Sequence, residues 1–354
     1  DDGPVLLFDA DVDGRMDVLE TKAGTNRPAS SPDFQPVLYL NEANGGLAPR
    51  ADALPPLTSS IGAAAAADFD HDGRLDVFLG ARVLPGRYPQ APRSALLANR
   101  GGRFEDVTDA VAPGLREVGM VTSALWSDVD GDGWADLLLA LEWGGVKYFH
   151  NDAGRGFTDW SERAGFAAAG TGWWTSLASA DFNGDGRPDY AAGNAGLNTP
   201  YHADAAHPTL LFYGRFGGPA LLIEADYEGD RVAPPSTLRA LGSYIPALRR
   251  RVTKNDEYGR MTLDQVLGAD RLAAAQRFAA TELQSGVFLS QPDGTYRFAP
   301  LPRIAQVAPL QGLVAGDFDG DGRADLYAVQ NSYAPIPWIG RFDGGLSQLL
   351  QGDG

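Results

Sequence analysis

The chain has 354 residues and a formal net charge of −17, with 46 Asp and Glu against 29 Lys and Arg. Because phosphate recognition needs clustered basic side chains, this balance argues against nucleic acids as partners. The absence of cysteine excludes disulfides, thiolate metal sites and a cysteine nucleophile. The 44 Gly and 24 Pro, together with 44% hydrophobic residues, predict a turn-rich chain that can still bury a core. No apolar run approaches the roughly 18 residues that span a bilayer, so we expect no membrane span.

One nine-residue pattern occurs five times along the chain, with Asp at positions 1, 3, 5 and 9 and Gly at position 6. The copies are residues 9–17, 68–76, 128–136, 181–189 and 317–325. Asn183 stands for Asp at position 3 of the fourth copy. Nineteen of the 46 acids lie in these copies, so only 27 acids remain elsewhere, against 29 bases in the whole chain. The acidity of the protein therefore belongs to the repeated pattern.

Each copy lies between two short apolar runs, as expected for a loop at the tip of a β-hairpin. The runs that precede the copies are 5–8, 63–67, 123–126, 176–180 and 312–315. A second pattern, an apolar run that ends in Asn or another polar residue before a Gly-containing turn, predicts a second hairpin. It occurs at 37–41, 96–99, 148–151 and 287–290. Each repeat therefore has about four strands, which suits one blade of a β-propeller.

A stretch without the pattern separates the fourth and fifth copies. The apolar runs 209–213 and 220–223 flank a Gly-rich turn without Asp, and they predict a metal-free blade. Leu238, Leu241 and the Thr262–Gln265 capping box predict two or three helices within 236–280. We expect propeller blades with calcium loops over 1–235, a helical insertion within a blade over 236–282, and the remaining blades over 283–354. The last blade is expected to be incomplete, which invites self-association through its open edge.

The repeated pattern predicts calcium sites. When the loop coils, the acidic side chains converge, Gly at position 6 permits the turn, and position 7 offers its backbone carbonyl. Ca²⁺ accepts 6–8 hard oxygen ligands, whereas a solvated turn with four acids and no cation would repel itself. About five ions are expected. The predicted ligands are Asp9, Asp11, Asp13, Arg15, Asp17, Asp68, Asp70, Asp72, Arg74, Asp76, Asp128, Asp130, Asp132, Trp134, Asp136, Asp181, Asn183, Asp185, Arg187, Asp189, Asp317, Asp319, Asp321, Arg323 and Asp325.

An EF-hand shares the first six positions but needs Glu at position 12 and flanking helices. Position 12 is Glu20 in the first copy and Leu or Ala in the other four. The flanks also resemble strands, so the pattern favours a hairpin loop over an EF-hand.

On these loops the chain resembles the FG-GAP/VCBS repeat propellers, the fold family of the integrin α-subunit head. Residues 104–108 and 157–161 are also similar to segments of bacterial secreted VCBS-repeat and ASPIC/UnbV-associated proteins. The resemblance covers about 1–235 and 283–354. It implies an all-β, seven-bladed propeller of four-stranded blades, of which about six are visible here, with calcium loops near one face. It also implies a secreted or cell-surface bacterial protein.

Catalytic patterns are scarce. The chain has four His and none of the common nucleophile, zinc-protease or phosphate-loop motifs, so we expect no enzyme. A two-carboxylate glycosidase needs only spatial proximity and stays open. The Arg run 249–251 is interpreted as a solvated helix face. Several aromatic residues predict either sugar-stacking platforms or packing between blades: Tyr88, Tyr148, Tyr201, Trp143, Trp173 and Trp174.

Three functions follow from this pattern. The first is a secreted scaffold, adhesion or protein-interaction module whose loops are made rigid by calcium. The second is a calcium-dependent, lectin-like carbohydrate-binding module. The third is a self-assembling extracellular subunit.

Overall fold

The computed structural model of the chain describes residues 2–333 and 340–352, and these residues form 24 strands and six α-helices. Trp338 and the last two residues of the predicted final blade lie outside the described residues. Among the described helices, none is long and apolar enough to cross a membrane.

The first two sheets follow the sequence directly, each with four antiparallel strands in chain order. Blade 1 consists of β1 (Asp2–Phe8), β2 (Asp17–Lys22), β3 (Val37–Asn41) and β4 (Leu47–Arg50). Blade 2 consists of β5 (Ser60–Ala67), β6 (Asp76–Val83), β7 (Ala95–Asn99) and β8 (Phe104–Asp106). The short helix α1 (Thr108–Val111) follows blade 2. The predicted runs thus lie in strands one and three of these blades.

Blades 3 and 5 each begin, like blades 1 and 2, with a hairpin that has an Asp-rich copy at its tip. Blade 3 consists of β9 (Met120–Ser127), β10 (Asp136–Gly144), β11 (Val146–Asn151) and β12 (Phe157–Asp159), with β13 (Gly172–Trp173) added beside β10. Blade 5 has three described strands, β22 (Leu310–Gly316), β23 (Asp325–Gln330) and β24 (Gln348–Leu350).

Blade 4 is assembled from two distant segments. It consists of β14 (Ser176–Ala180), β15 (Asp189–Gly193), β20 (Gly286–Ser290) and β21 (Tyr296–Pro300). Ala191 of β15 pairs with Val287 of β20 across an inserted stretch. The second and third strands of this blade are therefore separated by residues 194–285.

The inserted stretch has a sheet and a core of its own. Its strands are β16 (Thr209–Arg215), β17 (Ala220–Glu228), β18 (Arg231–Ala233) and β19 (Gln276–Ala280), in the order β18-β17-β16-β19. Its helices are α2 (Leu238–Tyr244), α3 (Pro246–Arg251), α4 (Asn255–Gly259), α5 (Leu263–Leu267) and α6 (Ala269–Ala273). The helices pack on one face of the sheet through buried Phe212, Leu241 and Val266.

This arrangement corrects three expectations. The sheet of 209–280 is not a metal-free blade between the fourth and fifth blades, since β14 packs directly against β22. The inserted segment is larger than 236–282 and takes in part of 1–235. Five short helices replace the expected two or three; Pro246 separates α2 from α3, and Gly268 separates α5 from α6.

The five remaining sheets are successive blades of a β-propeller. The first strands of successive blades lie side by side, β1 against β5, β5 against β9, β9 against β14 and β14 against β22. Apolar side chains fill each interface, for example Phe78 and Leu139 between blades 2 and 3. The predicted propeller fold is confirmed, whereas a total of seven blades stays a prediction.

The separate core of the insertion leads to a testable prediction. Leu263 is only 1% exposed within that core. Leu263→Ala should lower the free energy of unfolding of the insertion by about 2–5 kcal/mol, because a buried cavity replaces the side chain. Hydrogen exchange should show faster exchange in β16 and β17 but not in β9 and β10. Leu222→Ala, at a site 45% exposed, is the control and should change little. Equal loss of protection in β9 and β10 would show that the insertion is not a separate unit.

Candidate metal loops

The five Asp-rich copies all lie at the same place in their blades, between the first and second strands. We call them loops 1 to 5 in chain order: 9–17, 68–76, 128–136, 181–189 and 317–325. Position 9 of every loop is the first residue of the second strand, and it is at most 1% exposed in all five. The last aspartate is therefore buried in the blade, while the other acids lie nearer to solvent.

The buried aspartate joins three segments of its blade. In loop 3, Asp136 Oδ2 accepts the backbone N–H of Val129 at 2.9 Å, and Oδ1 accepts that of Asn151 at 2.7 Å. The first donor lies at position 2 of the loop, and the second lies at the end of the third strand. The same two bonds occur in the other four loops. Each of these carboxylates thus holds the loop against the second hairpin.

Backbone amides coil the rest of each loop. In loop 2, Asp68 accepts the N–H groups of Asp72 and Gly73 at 3.0 and 2.9 Å. Asp72 in turn accepts the N–H of Arg74 at 3.0 Å. Gly73 has a φ of +87°, which explains the Gly at position 6, because this left-handed conformation strains other residues. These hydrogen bonds coil the loop and bring its acidic side chains close together.

Carboxylate oxygens converge in four of the loops. Oxygens of positions 1, 3 and 9 lie within 4.8 Å of one another in loops 2, 3 and 5, and those of positions 1, 3 and 5 do so in loop 1. Three buried oxygens have no hydrogen-bond partner: Asp11 Oδ1, Asp70 Oδ1 and Asp128 Oδ1. A buried carboxylate oxygen without a partner is costly unless a cation approaches it. These all-oxygen clusters can therefore hold a metal ion, and their chemistry fits Ca²⁺.

Loop 4 differs because Asn183 replaces a carboxylate. Its side-chain Nδ2 donates to Asp185 at 3.2 Å, so an amide takes part where the other loops have an acid. Asp185 also accepts the Ser290 hydroxyl at 2.9 Å. The amide oxygen is still a hard donor, but this loop has one negative charge fewer. We expect it to hold a cation less tightly than loop 2.

The arginine side chains at position 7 form ion pairs that the sequence did not predict. Position 7 was assigned a backbone carbonyl, and the structure adds a side-chain pair between Arg74 Nη2 and Asp72 Oδ2 at 2.5 Å. Arg15 pairs with Asp13 in the same way, and Arg187 Nη2 lies 2.6 Å from Asp185. Part of the negative charge at position 5 is therefore already balanced in these loops.

The sequence did not predict a set of clasps, which are side-chain hydrogen bonds that connect loops 1, 2 and 3 to the next blade. Asn99 of blade 2 donates from Nδ2 to the carbonyl of Ala10 in loop 1 at 2.8 Å, and Asn151 of blade 3 donates to Phe69 in loop 2 at 2.9 Å. At the next interface, the Tyr296 hydroxyl donates to Val129 in loop 3 at 2.9 Å. The recurring Asn at the end of the third strand was the available signal.

The turn that follows Asn151 also touches the preceding loop. Gly154 has a φ of +74°, and a Cβ at this position would lie 3.0 Å from Asp70 Cα. His71 of loop 2 stacks on Trp134 of loop 3 with ring centroids 3.9 Å apart. Neighbouring loops are therefore in direct contact, so a shift in one is felt by the next.

Burial raises the proton affinity of several loop carboxylates. It raises the pKa of Asp76 to about 7, although the N–H groups of Asn99 and Phe69 favour the charged form. Burial also raises the pKa of Asp136 and of Asp11, the latter with help from the neighbouring charge of Asp13. A cation would favour the charged form of each, so protons and cation compete for these groups.

The tryptophans offer little exposed surface for sugar stacking. Trp174 is completely buried between blades 3 and 4. Trp143 and Trp173 are half-buried, contact each other edge to face at 5.0 Å, and pack on Tyr201 of the insertion. These rings form the seam between blade 3 and the insertion, where Trp143 Nε1 also donates to Tyr88 at 2.7 Å. For these tryptophans, the structure favours packing inside the protein over the sugar-stacking role.

A second pair of carboxylates lies away from the loops, on strand β17. Glu224 accepts the Tyr201 hydroxyl at 3.0 Å, and Asp226 accepts the Thr209 hydroxyl at 2.8 Å. Burial raises the pKa of both groups. Each carboxylate has a neutral hydroxyl partner, which is an ordinary way to satisfy a half-buried acid.

Comparison with known proteins supports the repeat. A family model described as an FG-GAP-like repeat matches residues 9–79 and 128–192, which contain loops 1 to 4. No curated protein matches the chain.

Solved structures resemble the chain only distantly. A lectin from Agrocybe aegerita, described as recognising non-reducing terminal N-acetylglucosamine, is 15% identical over 99% of this chain and 80% of its own, with a TM-score of 0.35. BBS1N in complex with ARL6DN is 11% identical over 92% and 87%, with a TM-score of 0.29. The V. cholerae biofilm matrix protein Bap1 is 11% identical over 92% and 76%, with a TM-score of 0.26. Likenesses this distant do not bear on what the chain binds.

The clasps lead to a prediction at Asn151, a side chain that is completely buried. Its amide makes two donated bonds and accepts a third from Gly154. Asn151→Ala should lower the free energy of unfolding by about 2–4 kcal/mol, because it leaves buried backbone groups without partners. Urea denaturation measures the change. Asn44→Ala, at an exposed turn, is the control and should cost less than about 1 kcal/mol. Similar losses in both variants would contradict the role of the clasp.

Proposed function

We propose that this chain, a β-propeller that carries FG-GAP-like repeats, is a calcium-binding protein-interaction or adhesion module that works outside the cell. In this proposal the calcium ions make the hairpin loops rigid and leave the surfaces between them to bind a macromolecular partner. We also propose that the module is not an enzyme.

The converging carboxylates carry the proposal. Asp70 and Asp128 each have a buried oxygen without a hydrogen-bond partner, within groups of three acids. Such groups are stable at neutral pH when a cation balances them. Ca²⁺ suits an all-oxygen donor set, and extracellular modules commonly bind it with dissociation constants of about 10⁻⁴–10⁻³ M. Sites of that affinity are filled only where calcium is abundant, so the secreted location is part of the proposal.

Calcium should raise the melting temperature of the chain, and more so at high pH. Binding to the folded state alone adds about 2.7 kcal/mol per site when the free ion is at 100 times its dissociation constant. Without calcium, a carboxyl group whose pKa is higher in the folded than in the unfolded state makes the folded protein less stable as the pH rises. For Asp76 this window runs from the ordinary aspartate pKa of 3.8 to the raised pKa of about 7. The increase produced by calcium should therefore be larger near about pH 8 than near about pH 5.

Calorimetry on chelator-treated protein, with and without added Ca²⁺, tests this expectation. Asp68→Asn should reduce the increase, because it weakens loop 2. Asp52→Asn removes an exposed acid outside the loops and is the matched control. A melting temperature that does not respond to calcium at either pH would reject the proposed function.

A protein ligand is preferred to a glycan as the partner. The glycan alternative relied on the aromatic loops or on the helical insertion, and Trp143, Trp173 and Trp174 among those aromatic residues lie in the seam and the core.

Self-association is a second proposal, favoured by the two end blades. Val5 and Leu7 of β1 are 58% and 63% exposed, and Val314 of β22 is 57% exposed. Between other blades the corresponding faces are packed. Sedimentation velocity in calcium should show concentration-dependent dimers, and Leu7→Lys should shift them to monomers. A purely monomeric wild-type chain at high concentration would reject this proposal without affecting calcium binding.

A further inference from the structure

Loop 3 is set apart from the other loops by a histidine. His150 lies on β11 and points its Nδ1 atom at the loop, 3.2 Å from Asp130 Oδ2 and 3.3 Å from Asp136 Oδ1. His150, Asp130 and Asp132 form a group whose ligand atoms lie within 4.8 Å of one another. This group overlaps the all-carboxylate cluster of the same loop. Loop 3 therefore offers a nitrogen donor beside its oxygens.

The corresponding residue differs in every other blade. In each blade one backbone N–H near the end of the third strand binds the aspartate at position 9, and the position of His150 is the residue just before that donor. In blades 1, 2, 4 and 5 this residue is Leu40, Ala98, Leu289 and Gln351. Gln351 donates to Asp319 Oδ2 in loop 5 at 2.7 Å, so a polar side chain here reaches position 3. Within the described chain, an imidazole occurs at this position only in loop 3.

Loop 3 also lacks the arginine at position 7. Trp134 stands there, whereas Arg15, Arg74 and Arg187 pair with the position-5 acids of their own loops. Asp132 thus has no such arginine partner within its loop. The charge that arginine provides in those loops is left to a bound cation in loop 3.

Packing holds the imidazole in a fixed orientation. Trp160 stacks on the His150 ring with centroids 3.7 Å apart. The guanidinium of Arg163 in turn lies over the Trp160 ring, 3.9 Å from its centroid. The His150 side chain is only 13% exposed. A donor held in this way loses little conformational entropy when it binds an ion. The ring is therefore preorganised toward the loop.

We propose that loop 3 is a mixed carboxylate–imidazole site that binds a divalent transition metal ion, with His150 Nδ1 as the nitrogen ligand. Imidazole suits Zn²⁺ and related ions, whereas oxygen-only sites suit Ca²⁺. Donors that share a metal at bond lengths of about 2.0–2.2 Å lie roughly 3 Å apart, which agrees with the spacing of His150 Nδ1 from both acids. Asp128 Oδ1, buried and without a partner, supplies a further oxygen in the same loop. The inference rests on the proposed function in that the loops hold cations, but it concerns this loop alone.

Zn²⁺ titration of the full chain tests the proposal. Calorimetry should find a site for Zn²⁺ that is weakened at least about tenfold in His150→Gln, since loss of an outer partner alone costs about 10–100-fold in metal affinity. Gln is chosen because Gln351 already occupies the matching position in blade 5. His207→Gln, in the insertion and away from the loops, is the control. Because the chain has four His, nitrogen NMR should also show which ring shifts with Zn²⁺.

The outcomes separate this inference from the proposed function. Unchanged Zn²⁺ affinity in His150→Gln, or a Zn²⁺ site lost in His207→Gln, would overturn it. Calcium uptake is measured on the same preparations. If calcium binds normally while Zn²⁺ ignores His150, only the inference fails. If calcium does not bind but the His150-dependent Zn²⁺ site is present, the proposed function fails and the inference stands.

A gain of binding gives a second test. Gln351→His places an imidazole at the same position beside Asp319 in loop 5. This variant should acquire a second Zn²⁺ site with the same nitrogen signature in its NMR spectrum. A variant that folds and binds no additional Zn²⁺ would contradict the claim that an imidazole at this position creates the site.

Discussion

The buried carboxylate at position 9 is the constraint on which the blades depend. Burying a charged carboxylate is costly unless hydrogen bonds and a counter-charge compensate it. Asp136 receives two backbone N–H bonds and a third bond from the Tyr148 hydroxyl, but it lies among further acids whose negative charges these bonds do not balance. In our account a cation balances them. In this account the carboxylate at position 9 therefore connects metal binding to the contact between the two hairpins of each blade.

The clasps extend this connection from one blade to the next. Asn99 and Asn151 bind the carbonyl of the preceding loop while their own N–H groups bind the aspartate of their own blade. The candidate metal loops, strand ends and blade interfaces are thus parts of one hydrogen-bonded network. The insertion stands apart, because its core is built from its own strands and helices. It meets blade 3 at the aromatic seam and through hydrogen bonds between Thr171 and residues Ala279 and Thr281.

Much of this could be predicted from the sequence because it is local. The nine-residue spacing predicted the hairpins, and the Thr262–Gln265 capping box lies at the start of α5 as expected. Chain connectivity could not be predicted in the same way. Strand β16 has the local pattern of a blade strand, and only the pairing of Ala191 with Val287, 96 positions apart, shows that it belongs to an insertion. The roles of His150 and Asn99 also depend on contacts between segments that are distant in the chain.

The most direct measurement is the number of calcium ions bound per chain. Equilibrium dialysis against saturating calcium, followed by elemental analysis of protein and buffer, gives this number without assuming a stability model. In buffer freed of transition metals, our account predicts about five calcium ions, one for each loop; loop 3 is the one that a transition metal would occupy instead. A chain that binds none, while still folded as a propeller by circular dichroism and hydrogen exchange, would show that hydrogen bonds alone satisfy the buried aspartates. That result would contradict the central claim.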